Sequence, residues 1–322
     1  MDNCSLDTCP IEWAYINYRP NLAANILFLA IFALFLVSHL VIGAWYRTWT
    51  YMIAMSFGLV GEVVGYVGRV MMHDNPFSFN AFLVYLICLT IAPAFFTAAI
   101  YICLGRIVIV YGEDISRIRP RTYTIIFVTC DIIALILQAA GGAITSMASD
   151  DQQSLKDTGV NIMIAGLGFQ VASLTLFIVL ASEFALRVRK APEDMRNPFL
   201  GTIRSGWKWK VFLFVGANLT PGLAGAILTI FIRSCFRVAE LQGGFDSNLA
   251  NDEITLMILE SAMITISCFC LTAGHPGVVM GRRWSELKER SSSAKAKSNK
   301  SIDSEASPIR SGYEMNEVPS RH

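Results

Sequence analysis

Seven long apolar runs, at about 22–45, 51–71, 81–110, 122–145, 160–184, 211–232 and 254–279, occupy most of this chain. A helix needs roughly twenty apolar residues to cross about 30 Å of hydrocarbon, and every run is long enough. The runs are continuous rather than alternating, which argues against transmembrane strands. Hydrophobic residues make up 54% of the chain and charged residues only 16%, where a soluble domain carries about a quarter charged. The expected fold class is all-α: a polytopic membrane protein built as a seven-transmembrane helix bundle.

The basic residues give the bundle a direction. Cytoplasmic loops of membrane proteins collect Lys and Arg. Here all but five of the 26 lysines and arginines fall in the first, third and fifth loops and in the C-terminal tail. The five exceptions are Arg19, Arg69, Lys156, Arg233 and Arg237. An outside N-terminus and a cytoplasmic C-terminus follow, and such an arrangement requires an odd number of spans. The overall charge of +1 averages two oppositely biased faces. The first apolar run follows acidic Asp2, Asp7 and Glu12 rather than a basic segment, so no cleavable leader is expected and the first span serves as an anchor.

Three regions are expected: an extracellular segment 1–20, the transmembrane domain 21–280, and a tail 281–322. The tail is rich in Ser, Lys and Glu and poor in aromatics, too polar to bury a core, and is expected to be disordered. Arg282, Arg283, Lys288 and Arg290 lie where anionic lipids of the cytoplasmic leaflet would attract them; the alternative is a solvated tail that obeys the positive-inside rule. Asn3-Cys4-Ser5 is a candidate glycosylation sequon on the outer side. Cys88, Cys103, Cys130, Cys268 and Cys270 read as packing residues within spans. Cys4, Cys9 and Cys235 face the oxidising side, and one disulfide among them is expected, its connectivity open.

Polar residues inside the apolar runs are the candidate functional groups, because ionisable side chains there are costly and face a cavity or a partner. The second span carries Glu62, Tyr66 and Arg69; with Gly58 and Gly65 they share one helical face. The fourth carries Asp131 and Gln138 on a face with Gly142. Gln170 lies in the fifth, Asn218 in the sixth just before Pro221-Gly222, Glu260 in the seventh, and Glu253 at its mouth. Small residues beside these groups permit close helix approach, so the polar faces are expected to point inward. With Arg69 taken as the only basic residue well within a span, the interior reads as acid-rich, suited to protons or an amine-bearing substrate. Arg233, Arg237 and Glu240 share a face beyond the sixth span. An outer acidic partner is expected for the two arginines, with Glu253, Asp252 and the outer loops as candidates, as a structural clamp or as an anionic headgroup site. Each polar residue also has a purely structural reading, as a hydrogen-bonded group that sets helix register.

These residues are also where the chain resembles a known family. Gly61-Glu62-Val63-Val64-Gly65-Tyr66-Val67-Gly68-Arg69 resembles the second-span signature of the fungal RTA-like, or lipid-translocating exporter, family. Asp131 through Gln138 to Gly141-Gly142, Gly166 to Gln170, Arg233-Ser234 to Arg237 and Glu240 with Gly243-Gly244, Glu253, and His275-Pro276-Gly277 extend the resemblance over about 20–280. Glu260 departs from it, since Asp is expected there, and so do Met257-Ile258, where aromatics are more usual. The resemblance implies seven spans in a fungal cell membrane and export or translocation of sphingoid long-chain bases. It also implies resistance to amphiphilic toxins such as aminocholesterol, or movement of porphyrin or haem.

The leading expectation is a plasma-membrane, floppase-like exporter of an amphiphilic lipid or toxin. No Gly-x-x-x-x-Gly-Lys-Ser/Thr string occurs, so ATP-driven pumping by this chain is unsupported, and proton coupling through Glu62, Asp131 or Glu260 is the default, with passive exchange its rival. The second expectation is a seven-span lipid sensor. Against receptor coupling, the third span ends Leu104-Gly105-Arg106-Ile107, without an acidic-Arg-aromatic triplet, and His275-Pro276-Gly277 stands where an Asn-Pro-x-x-Tyr string would. A metal hydrolase is disfavoured, because the four histidines, His39, His73, His275 and His322, do not converge on the buried acids. No catalytic residue, metal, cofactor or nucleic-acid partner is expected.

Overall fold

The computed structural model describes residues 9–280 apart from 12, 13, 15, 17, 112–115, 118, 148–151, 191–221 and 244–251. Asn3, Cys4, Asn218, Pro221 and the tail from 281 therefore lie outside the described residues.

The described chain is helical, and no strand occurs among the described residues. The helices are α1 (Leu22–Trp45), α2 (Trp49–Asp74), α3 (Phe79–Tyr111), α4 (Pro120–Met147), α5 (Gln153–Lys190), α6 (Leu223–Gln242) and α7. α7 begins as Glu253–Leu256, widens into a π-helical turn at Met257–Ala262, and continues as Met263–Ala273; a short α8 (Pro276–Met280) follows. Six of these, all but α6 and α8, are long and apolar enough to cross a membrane. The sixth expected span, 211–232, begins outside the described residues; α6 covers its second half and continues past it with Arg233, Arg237 and Glu240. Most helices overrun their apolar runs by a few residues, because backbone hydrogen bonding continues into the interface after hydrophobicity ends.

Consecutive helices pack as neighbours from α1 through α7, α7 returns against α1, and α3 also touches α6. The result is a closed ring with α3 innermost. α1 is the most peripheral, with Leu27, Leu34 and Val41 exposed along one side, as expected of a lipid-facing stripe. The α1–α2 turn is tight: Arg47 adopts φ 55°, and the Tyr46 and Thr48 N–H groups donate to the Ile42 and Gly43 carbonyls, closing α1 through a left-handed residue.

Glycines set the two closest seams. On α2, Gly58, Gly61, Gly65 and Gly68 face Phe96, Ala92, Leu89 and Tyr85 of α3. On α4 and α5, Gly141 and Gly159 oppose one another, and Gly166 sits against Ala134, Leu137 and Gln138. These are the close approaches that small residues permit between membrane helices.

Candidate functional site

The largest polar assembly joins α3, α6 and α7. Arg233 Nη2 lies 2.8 Å from Glu260 Oε1 and donates to the Leu89 carbonyl at 2.7 Å. Arg237 Nη1 pairs with Glu240 Oε2 at 2.8 Å and lies 3.8 Å from Glu260 Oε1, while its Nη2 is 3.4 Å from the Thr90 hydroxyl. Arg233, Arg237 and Glu260 are all buried.

Local sequence builds this site in two ways. Pro93 lies inside α3 and has no N–H, so the carbonyl four residues earlier loses its helical donor. That carbonyl belongs to Leu89, the one Arg233 takes. The π-helical turn of α7 then brings Glu260 and Ser261, adjacent in sequence, into the interior together. Single π-turns inside α-helices recur at functional sites.

A second assembly sits beside the start of α1. Arg69 is buried; its Nε donates to Asn25 Oδ1 at 2.8 Å, its Nη2 to the Tyr18 hydroxyl at 3.3 Å, and its guanidinium carbon lies 5.0 Å from the Tyr85 ring centroid. Glu253 Oε1 is 3.9 Å from Arg69 Nη2 and accepts the Asn21 N–H at 2.6 Å. Asn21 caps α1 by accepting from the Ala24 N–H. Asp252 caps α7; its bonds from the Thr255 hydroxyl and the Ile254 N–H hold its carboxyl below the usual carboxylate range.

Two further carboxylates are buried with no ion pair among the described residues: Glu62 and Asp131. Glu62 Oε1 has no hydrogen-bond partner, although Arg233 and Glu260 are within electrostatic reach. Near it the Tyr66 hydroxyl donates to Ser261 Oγ. Asp131 Oδ2 accepts the Thr97 hydroxyl at 2.7 Å, and the Tyr101 hydroxyl also acts on this carboxylate. Gln138 Nε2 donates to Gln170 Oε1 at 3.1 Å across the α4–α5 seam.

Two expectations need correction. The interior is not simply acid-rich around one arginine, because Arg233 and Arg237 are buried within the bundle on the face of α6 that carries Ile230 and Ser234. Their acidic partners are Glu260 and Glu240 rather than Glu253 or Asp252; Glu253 instead serves Arg69. Helical continuity of α6 past Ile232 places the guanidinium groups beside α7, which loop position in the sequence could not show. The disulfide expectation also narrows: Cys9 is disulfide-bonded, whereas Cys235 is a free, exposed thiol.

Sequence reading missed Tyr18, Asn25, Tyr85, Thr97, Ser261 and the Leu89 carbonyl. Asn25 could have been found as a polar residue near the start of an apolar run, and Leu89 by counting four residues back from Pro93. Tyr18, Tyr85, Thr97 and Ser261 carried no local signal.

His39 and His275 are buried with ring centroids 5.5 Å apart. His39 Nε2 lies 2.9 Å from Thr272 Oγ1, and the Gly277 N–H donates to His275 Nδ1 at 3.0 Å. These contacts fasten α1 to the α7–α8 break. Among the described residues no group of three or more His, Cys, Asp or Glu could hold a metal ion.

Arg69 should resist conservative replacement. Arg69→Lys keeps the charge but cannot serve Asn25, Tyr18 and the Tyr85 face together. We expect a loss of about 1–3 kcal/mol from unsatisfied buried partners, read as a lower unfolding midpoint in detergent.

The fold and these networks define a polytopic all-α membrane protein with buried, paired charges at its centre. The chain matches the RTA1 like protein family over residues 55–283 and belongs to that family. It is 35% identical over 277 residues to the sphingoid long-chain base transporter RSB1 of Saccharomyces cerevisiae strain Lalvin EC1118, covering 80% of this chain and 72% of that protein. Protein RTM1 of Saccharomyces cerevisiae is 28% identical, over 70% of this chain and 68% of its own length. Protoporphyrin uptake protein 1 of the same species is 28% identical, over 67% and 66%. No solved structure matches the chain.

Proposed function

We propose that this chain is a multi-pass transporter, not an enzyme, that moves a single-chain cationic amphiphile of the sphingoid long-chain base class across the plasma membrane. The similarity to a sphingoid long-chain base transporter over 80% of the chain carries the class of substrate. Two buried carboxylates without ion pairs, Glu62 and Asp131, support a cationic head. An ammonium group supplies up to three donors; it would satisfy Glu62 Oε1, which has no partner, and would bring the Asp131 carboxylate a cation in place of neutral donors alone.

In this reading the charge-balanced Arg233–Glu260 and Arg69–Glu253 assemblies hold the ring together, and Glu62 and Asp131 carry substrate or protons. The basic loops face the cytoplasm, seven spans cross the bilayer, and the basic residues after 281 rest on anionic lipid. Asn3 is the proposed glycan acceptor, and export of amphiphiles would confer toxin resistance.

The test is flux of a labelled long-chain amino-diol in liposomes containing only this protein. Glu62→Gln and Asp131→Asn should each lower flux by about tenfold or more, because a hydrogen bond to a charged group is worth about 1.5–3 kcal/mol. Expression and melting temperature should stay near wild type. Absence of flux from well-folded wild-type protein would reject transport in favour of a lipid sensor, and indifference of flux to an imposed pH gradient would reject proton coupling.

A further inference from the structure

A cavity of about 450 Å³ lies between α3, α5 and α6, within the range of about 300–1,000 Å³ typical of small-molecule sites. Its walls are almost wholly apolar: Leu104 and Ile107 from α3, Phe177, Ala181 and Phe184 from α5, and Ile227 from α6. Leu228 at its edge is exposed, so the cavity communicates with the lipid-facing surface. It lies toward the end of the bundle that carries Arg106 and Arg187.

What adjoins it is polar. Phe177, one wall of the cavity, has its ring centroid 4.5 Å from that of Tyr101. Phe127 of α4 completes an aromatic trio, 5.5 Å from Tyr101 and 5.2 Å from Phe177. Behind the trio lies Asp131, within electrostatic reach of Tyr101. The Asp131 carboxylate is buried and has only neutral hydroxyls, those of Thr97 and Tyr101, acting on it, with no cation among the described residues. A buried carboxylate served only by neutral donors keeps an uncompensated charge, which a cation beside it would offset. Glu62 is less suited, since Arg233 already acts on it.

We infer that this is one amphiphile-shaped site: Asp131, Thr97 and Tyr101 take the ammonium and hydroxyl groups of a single-chain amino-alcohol, and the α3–α5–α6 cavity takes its hydrocarbon chain. The inference rests on the transport reading for the class of ligand, but assigns the head and tail positions independently of whether flux occurs. The distal wall, around Ala181 and Phe184, then sets the chain length accepted.

The experiment uses the full-length wild-type chain in liposomes and a long-chain 2-amino-1,3-diol bearing a diazirine on its terminal carbon. Photolabel should fall on peptides covering 177–188 or 223–228 and be displaced by unlabelled long-chain amino-diol, but not by its N-acetylated, neutral analogue. Asp131→Asn should lower labelling about tenfold at unchanged melting temperature. Ala181→Trp should lower labelling by the long-chain probe about tenfold while sparing a short-chain one, the scale on which a hydrophobic pocket discriminates by length. Label spread over the exposed stripe of α1, or label that the neutral analogue displaces equally, would overturn the site. Flux with label elsewhere would retain transport and reject this site; specific label without flux would retain the site and reject transport.

Discussion

Replacing Glu260 by alanine is expected to destabilise the protein by about 3–5 kcal/mol, the cost of leaving a buried charge uncompensated. Arg233 would lose its 2.8 Å partner, and Arg237 would keep only Glu240. The Leu89 carbonyl cannot neutralise a guanidinium. A lower unfolding midpoint in detergent is the readout. Two controls separate charge from packing. Glu260→Asp keeps the charge and should recover much of the loss. Arg233→Met combined with Glu260→Met removes both charges and should be markedly milder than Glu260→Ala, since paired replacement of a buried ion pair by apolar groups is often close to neutral. Equal losses in the single and double variants would mean that the cost does not come from an uncompensated charge.

The second large effect is expected at the α4–α5 seam. A Cβ on Gly141 would lie 2.5 Å from the Gly159 carbonyl oxygen and 2.7 Å from the Met163 nitrogen. Both are backbone atoms, so no rotamer change relieves the clash, and the helices must separate. Gly141→Leu should therefore cost at least the roughly 1–3 kcal/mol of ordinary overpacking and should weaken the Gln138–Gln170 bond. Gly168 is the control, because a Cβ there meets nothing within 4 Å. Gly168→Ala should be neutral or stabilising by up to about 1 kcal/mol, the helix-propensity gain. Melting temperatures of the two variants decide the matter; similar values would show that seam glycines do not set the helix spacing.

Much of the architecture was readable from residues. The apolar runs located the helices to within a few residues at most ends, since hydrophobic length is a local property that the bilayer imposes. α5 starts at Gln153, several residues before its apolar run, because a helix needs only backbone hydrogen bonds to continue into polar surroundings. The inward face of α2 was also readable: Gly58, Glu62, Gly65, Tyr66 and Arg69 are all buried, as their shared helical face implies.

The candidate site was readable only in part. Its ionisable residues stood out one by one because each is costly inside a membrane. Who pairs with whom did not, because charge pairing acts through space between helices distant in sequence. Arg233 lies beyond the sixth apolar run, where several outer acids are candidate partners, yet α6 continues and delivers it to Glu260. The difference changes the electrostatics of the interior, leaving Glu62 and Asp131 rather than Glu260 as the buried acids without ion pairs among the described residues.

By itself, then, the sequence determined a multi-pass helical membrane protein, the inward faces of its helices and the set of polar groups buried among them. These follow from hydrophobic length and helical period, which a short stretch of chain expresses alone. Only the tertiary structure decided that Pro93 frees a carbonyl for Arg233, that a π-turn brings Glu260 and Ser261 inward together, and that Asp131 lies behind an aromatic wall from an apolar cavity. Each of those depends on how distant segments settle against one another in the assembled bundle, and local pattern carries no record of that.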